Sequence, residues 1–185
     1  TLKMLSGILY PSSGEISVIG YKPYERKPAF QKQFALVMGQ KNQLWWDLPA
    51  RESFILNKAI YEVPDDEYEK NLEQLTTLLD IKDLLDIQVR KLSLGQRMKC
   101  ELTAALLHSP KVIFLDEPTI GLDVVSQKNI RDFLLQYNQQ KKATIILTSH
   151  YMEDIRRLCD RVVIINHGQL IYDGTYNNLT RKYAD

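Results

Sequence analysis

Two adjacent carboxylates, Asp116 and Glu117, follow the apolar run Val112-Ile113-Phe114-Leu115 and precede Pro118. A short unbroken apolar run predicts a strand buried on both faces, the pattern of a parallel sheet. Proline cannot donate to a ladder, so the strand is expected to stop before Pro118. The pair then sits at the carboxyl end of a strand, where open α/β sheets place their ligands. Side chains alternate along a strand, so one carboxylate can hold a metal while its neighbour takes a proton. On these residues alone, a charged strand end facing water is the competing reading.

Further residues with chemical potential stand in order along the chain. Gln40 follows the apolar run 34–38, and its amide oxygen can bind a metal or a water. Ser93 and Gln96 form an S-x-x-Q capping box, which predicts a helix N-terminus with open backbone N–H groups, an anion site. Gly121-Leu122-Asp123 makes a turn just after the carboxylates, and Thr148-Ser149-His150 closes another apolar run, 144–147. His108 and His167 have no comparable setting.

The elements that must position these groups alternate between strand and helix. A strand is expected at 15–19 with Ile16 and Val18 on one face, and buried strands at 34–38, 112–115 and 144–147, with a hairpin of 162–165 and 169–172 around Asn166-His167-Gly168. A helix is expected over Leu2, Leu5 and Leu9. Another runs from Glu52 to Tyr61 with Phe54, Ile55, Ala59 and Ile60 inward. The next is capped by Asp65 or Asp66, with Tyr68, Leu72, Leu75 and Leu79 in a stripe. The helix after Ser93 turns Met98, Leu102, Ala105 and Leu106 inward, and that of 127–137 turns Ile130, Phe133, Leu134 and Tyr137. A further face holds Met152, Ile155, Leu158 and Cys159. No strand pattern appears between Lys41 and Arg90, so a helical segment is inserted into an α/β core with a largely parallel sheet.

Bulk properties narrow the function. The chain has 185 residues, enough for one domain with a real core. A net charge of +1 gives nucleic acid no support. Cys100 and Cys159 form no C-x-x-C pair, so neither a zinc site nor a disulfide framework is indicated. No apolar stretch reaches the length of a membrane span.

Taken in order, these motifs resemble the nucleotide-binding subunit of an ABC transporter. Gln40 matches that family's Q-loop, Ser93 to Gln96 its signature, Val112 to Glu117 Walker B, Gly121 to Asp123 the D-loop, and His150 the switch histidine. The resemblance implies a P-loop NTPase core of the ABC ATPase type, from residues 1–40 and 110–185, with an α-helical subdomain at 41–109. It implies ATP and Mg2+ as cofactors, with Asp116 and Gln40 at the metal and Glu117, His150 and Gln40 as catalytic residues. Ser93, Gly95, Gln96 and Asp123 would contact nucleotide or the subunit interface. Leu94 stands where the family has glycine, and leucine does not take a positive φ cheaply.

The implied partners are a second ATPase subunit, a homodimer being the expectation, and a transmembrane permease on the plasma membrane, served from its cytoplasmic face. Residues 38–49 resemble a branch paired with exporter-type permeases, and at least one of Trp45 and Trp46 is expected to be substantially exposed there, the pair forming part of the docking surface. The phosphate loop G-x-x-x-x-G-K-[ST] is absent from these residues. The resemblance implies that it precedes Thr1, so the chain is expected to be a fragment truncated at the N-terminus and inactive alone. A soluble ABC-type ATPase acting on ribosomes or nucleic acid is the alternative.

Overall fold

The computed structural model describes residues 1–39 and 41–183. It divides into two compact units, Thr1–Thr148 and Ser149–Asp185.

The first unit is built on a three-stranded parallel sheet of order β1-β2-β3, with β1 at Phe34–Met38, β2 at Val112–Asp116 and β3 at Thr144–Thr148. The register aligns Met38, Asp116 and Thr148 in one row at the carboxyl ends. β2 is central, and Val112 to Leu115 are all buried, as the apolar run predicts. Helices α1 (Leu2–Leu5) and α2 (Pro28–Gln31) precede β1. Between β1 and β2 lie α3 (Ala50–Tyr61), α4 (Asp65–Leu79) and α5 (Leu94–Leu106), and α6 (Val124–Lys141) joins β2 to β3.

α5 is the hub, touching α3, α4, α6 and β1. Its buried face carries Met98, Leu102 and Leu106 at helical spacing, with Cys100 and Glu101 also buried. Glu101 accepts a hydrogen bond from the Gln43 backbone N–H at 3.4 Å and lies 3.6 Å from the Arg97 guanidinium. Burial pushes its carboxyl up to about 7, against the pull of Arg97. α6 buries Ile130, Phe133, Leu134 and Tyr137, the stripe expected from its sequence.

Several expectations fail for identifiable reasons. Residues 15–19 form no strand. Val18 makes only an isolated bridge to Tyr21 across Ile19-Gly20, both at positive φ, so the chain reverses at once. α1 ends at Leu5, and Gly7 at φ 76 turns the chain away. In α3 the buried residues are Ala50, Ser53 and Phe54, whereas Ile55, Ala59 and Ile60 face outward. Asp65 and Asp66 are not caps: Pro64 holds that position, and Asp65 pairs with Lys58 at 2.6 Å. β3 is not fully buried, and among the described residues it is an edge strand, paired with β2 alone.

The second unit contains α7 (Met152–Leu158), β4 (Arg161–Asn166), β5 (Gln169–Thr175) and α8 (Tyr176–Tyr183). β4 and β5 form the expected antiparallel hairpin. Its turn residues His167 and Gly168 both have positive φ, the tight-turn geometry whose twist matches the strands. Met152 faces solvent, contrary to expectation.

Candidate active site

The site grows from the end of β2. Asp116 is the last strand residue, directly opposite Thr148. The Thr148 hydroxyl donates to Asp116 Oδ1 at 2.6 Å. The Glu117 N–H donates to the Thr148 carbonyl at 3.1 Å and lies 3.3 Å from the Thr148 hydroxyl oxygen. Glu117 itself has φ 55, the left-handed region, at a cost of about 1–2 kcal/mol for a residue with a Cβ. Such strain is sustained only where surrounding structure fixes it. Here the Ile120 N–H donates to the Glu117 carbonyl at 3.2 Å and the Gly39 N–H to the Asp116 carbonyl at 2.9 Å. A Cβ at residue 39 would collide with the Glu117 carbonyl oxygen, so only glycine fits beside this turn. The two carboxylates were expected to diverge by strand alternation. The strand instead ends at Asp116, and Glu117 leaves the sheet at φ 55.

The second cluster is the start of α5. Ser93 Oγ accepts from the Gln96 N–H at 3.2 Å, and Gln96 Oε1 accepts from the Ser93 N–H at 2.9 Å, completing the capping box. That leaves the Leu94 and Gly95 N–H groups without acceptors among the described residues, at the positive end of the helix dipole. Leu94 is the first helical residue and has no positive φ, so a leucine is accommodated there without strain. Gly95 is required for closeness: a Cβ there would collide with the Ser126 side chain. A Cβ at Gly121 would lie 3.3 Å from Leu94 Cδ2. The 93–95 turn is therefore packed against the 121–126 turn.

Asp123 caps α6, accepting from the Ser126 N–H at 2.9 Å and the Ser126 hydroxyl at 2.6 Å. These bonds hold its carboxyl below the usual range. The two helix starts thus differ electrically. α6 has an anion on its N-terminus, whereas α5 is capped by a neutral serine, with Asp123 Oδ2 3.9 Å from where a Gly95 Cβ would lie.

Gln40 lies outside the described residues. His150 is exposed and belongs to the second unit. There the Ser149 hydroxyl donates to Asp154 at 2.7 Å and accepts from the Tyr151 N–H at 3.0 Å, fixing the turn around it. Trp45 and Trp46 are 50% and 48% exposed, as expected. The Arg97 guanidinium lies 5.8 Å from the Trp46 ring centroid. Sequence reasoning passed over Gly39, Ser126 and Thr148. A glycine directly after a buried strand was the available signal for Gly39.

No group of three or more His, Cys, Asp or Glu able to hold a metal occurs among the described residues. Magnesium needs none, because it is held by one or two carboxylates together with waters and substrate phosphates. Asp116 fits that donor set: one oxygen is anchored by Thr148, and the other accepts no hydrogen bond among the described residues.

Residues 1–120 match the ABC transporter family. The chain is 32% identical over 178 residues to the ABC transporter ATP-binding protein NatA of Bacillus subtilis (strain 168), spanning 96% of this chain and 72% of NatA. It is 32% identical over 182 residues to the linearmycin resistance ATP-binding protein LnrL of the same organism, spanning 98% of this chain and 58% of LnrL. A solved ATP-binding subunit of an ABC transporter superposes with a TM-score of 0.85 at 28% identity, covering 99% of this chain and 75% of that one. The chain belongs to the ABC transporter family, among its ATP-binding components.

Proposed function

We propose that this chain forms part of a subunit that binds and hydrolyses ATP to drive a membrane permease of exporter type. The observation that carries the reading is the end of β2. There an anchored carboxylate suited to magnesium stands beside a second carboxylate turned off the strand. Asp116 holds the metal, directly or through water, with the Gln40 amide as a further ligand. Magnesium, when bound, neutralises charge on the transferring phosphoryl oxygens. Glu117 takes the proton of the attacking water or orients it. His150 reaches the γ-phosphate. Ser93, Gly95 and Gln96 present the α5 N-terminus to the nucleotide of a second copy, packed head to tail, and Asp123 links the two sites across that interface.

Residues 41–109 act as the helical subdomain between the core segments 1–40 and 110–185. Its exposed Trp45-Trp46 segment is strapped to the approach to Ser93: the Arg90 N–H donates to the Trp46 carbonyl and the Val89 N–H to the Leu48 carbonyl, each at 3.0 Å. A permease helix pressing on these indoles therefore acts on the signature turn. Tryptophan suits such a surface, burying a large area at low entropy cost. No described helix is long and apolar enough to cross a membrane. In this reading the subunit meets the membrane's cytoplasmic face through its permease. Export is supported by LnrL, which is named for linearmycin resistance.

The test is Trp45→Ala with Trp46→Ala in the full-length protein that contains this sequence. Co-purification with the permease is expected to drop while ATP binding persists. A double variant that keeps the permease refutes docking, and one that unfolds, or that loses ATP binding while keeping the permease, shows that the indoles support the fold instead.

A further inference from the structure

We propose that Thr148 is a positioning residue for the hydrolytic site: its hydroxyl orients the Asp116 carboxylate for the metal and anchors the turn that presents Glu117. The proposal rests on the reading of Asp116 and Glu117 given above.

β3 is apolar at Ile145, Ile146 and Leu147 and polar at Thr148, its last residue. The parallel register sets that residue opposite Asp116 rather than opposite an apolar neighbour. The single hydroxyl proton goes to Asp116 Oδ1 at 2.6 Å, a short bond of the kind made to an ionised acceptor. Rotation of a carboxylate about its last torsion is otherwise broad. Tying down Oδ1 removes that freedom and leaves Oδ2 as the oxygen that can meet a cation. The hydroxyl oxygen also lies 3.3 Å from the Glu117 nitrogen, whose N–H is shared with the Thr148 carbonyl at 3.1 Å. One side chain thus reaches both the residue proposed for the metal and the left-handed residue next to it. Groups that orient a metal ligand from behind carry roughly 10- to 100-fold in affinity or activity.

A merely structural threonine behaves differently under substitution. Valine has the same shape and equal strand preference, so it preserves a structural role; serine, a poorer strand former, weakens it. For the positioning role the order reverses, because serine keeps the hydroxyl and valine does not.

The experiment uses the full-length protein with Thr148→Val, Thr148→Ser and Asp116→Asn. Mn2+ is titrated by electron paramagnetic resonance in the presence of a non-hydrolysable ATP analogue, and Tm is measured alongside. Mn2+ affinity is expected to fall roughly 10- to 100-fold in Thr148→Val with Tm retained, and to stay near the wild-type value in Thr148→Ser. Wild-type affinity in Thr148→Val, or equal losses in the valine and serine variants, overturns the proposal while leaving Asp116 in place if Asp116→Asn weakens binding. Wild-type affinity in Asp116→Asn removes the metal reading of Asp116 and the role of Thr148 with it.

Discussion

β2 and β3 lie side by side in register and end together at the candidate site, yet only one of them is a core strand. Val112 to Leu115 in β2 are buried throughout, whereas in β3 Thr144 is exposed and Ile146 is 37% exposed. The two sequences, Val-Ile-Phe-Leu-Asp and Thr-Ile-Ile-Leu-Thr, are both dominated by apolar residues. The difference lies in neighbours. Among the described residues β2 is paired on both sides, and β3 on one. A strand's chemistry at its tip is therefore separable from its contribution to stability: β2 supplies both, and β3 supplies a hydroxyl from a half-covered edge.

Substitutions along the two strands test that separation. The largest effect is expected at Phe114, fully buried and edge-on to Phe34 at 5.8 Å between ring centroids. Phe114→Ala should cost about 3–5 kcal/mol in urea denaturation through lost transfer energy and a cavity. A loss under about 1 kcal/mol would mean that β2 is not the core strand described here.

The covered side of the sheet also acts on charge. α5 packs on β1, and two titratable groups are caught there. Burial raises Glu101 from 4.5 to about 7 and lowers His108 from 6.5 to about 4, with His108 Nε2 3.1 Å from the Phe34 carbonyl. The folded state favours neutral Glu101, so that contribution is present below pH 4.5 and is lost as pH rises through 7. It also favours neutral His108, whose contribution is present above pH 6.5 and is lost as pH falls through 4. The two slopes oppose each other in overlapping windows. Glu101→Gln removes one, so its stability should rise between pH 5 and 6.5 more steeply than that of the wild type, by up to about 2 kcal/mol. Parallel Tm–pH profiles for the two proteins would contradict the buried placement of Glu101. The smallest effect is expected at the edge: Ile146→Ala should cost about 1 kcal/mol or less, and a loss as large as that at Phe114 would erase the contrast between the strands.

What could be read from the sequence follows the range of the interactions involved. The capping box of Ser93 and Gln96 spans one turn and was legible in full, as was the α6 stripe from Ile130 to Tyr137, because both are local periodicities. β2 was legible because its composition and its central position agree. β3 was legible as a strand but not in its partial exposure, since nothing in Thr144 to Thr148 records what covers it. The same holds for residues 15–19, whose alternation resembles a strand but meets no second strand among the described residues. At the site, the residue types of Asp116, Glu117, Ser93 and Asp123 were legible, but their reasons for fitting were not. Gly95 is dictated by Ser126, Gly39 by the Glu117 carbonyl, and the orientation of Asp116 by Thr148, each a contact between segments far apart in sequence.

The central claim, that Glu117 rather than Asp116 handles the proton of the attacking water, is tested most directly by steady-state ATPase kinetics of Glu117→Gln in the full-length protein. The amide is nearly isosteric and leaves the Asp116–Thr148 bond intact, but cannot accept a proton. The account predicts that kcat falls by about 100-fold or more while nucleotide binding is retained. Turnover near the wild-type rate, or a raised KM with kcat unchanged, would contradict it.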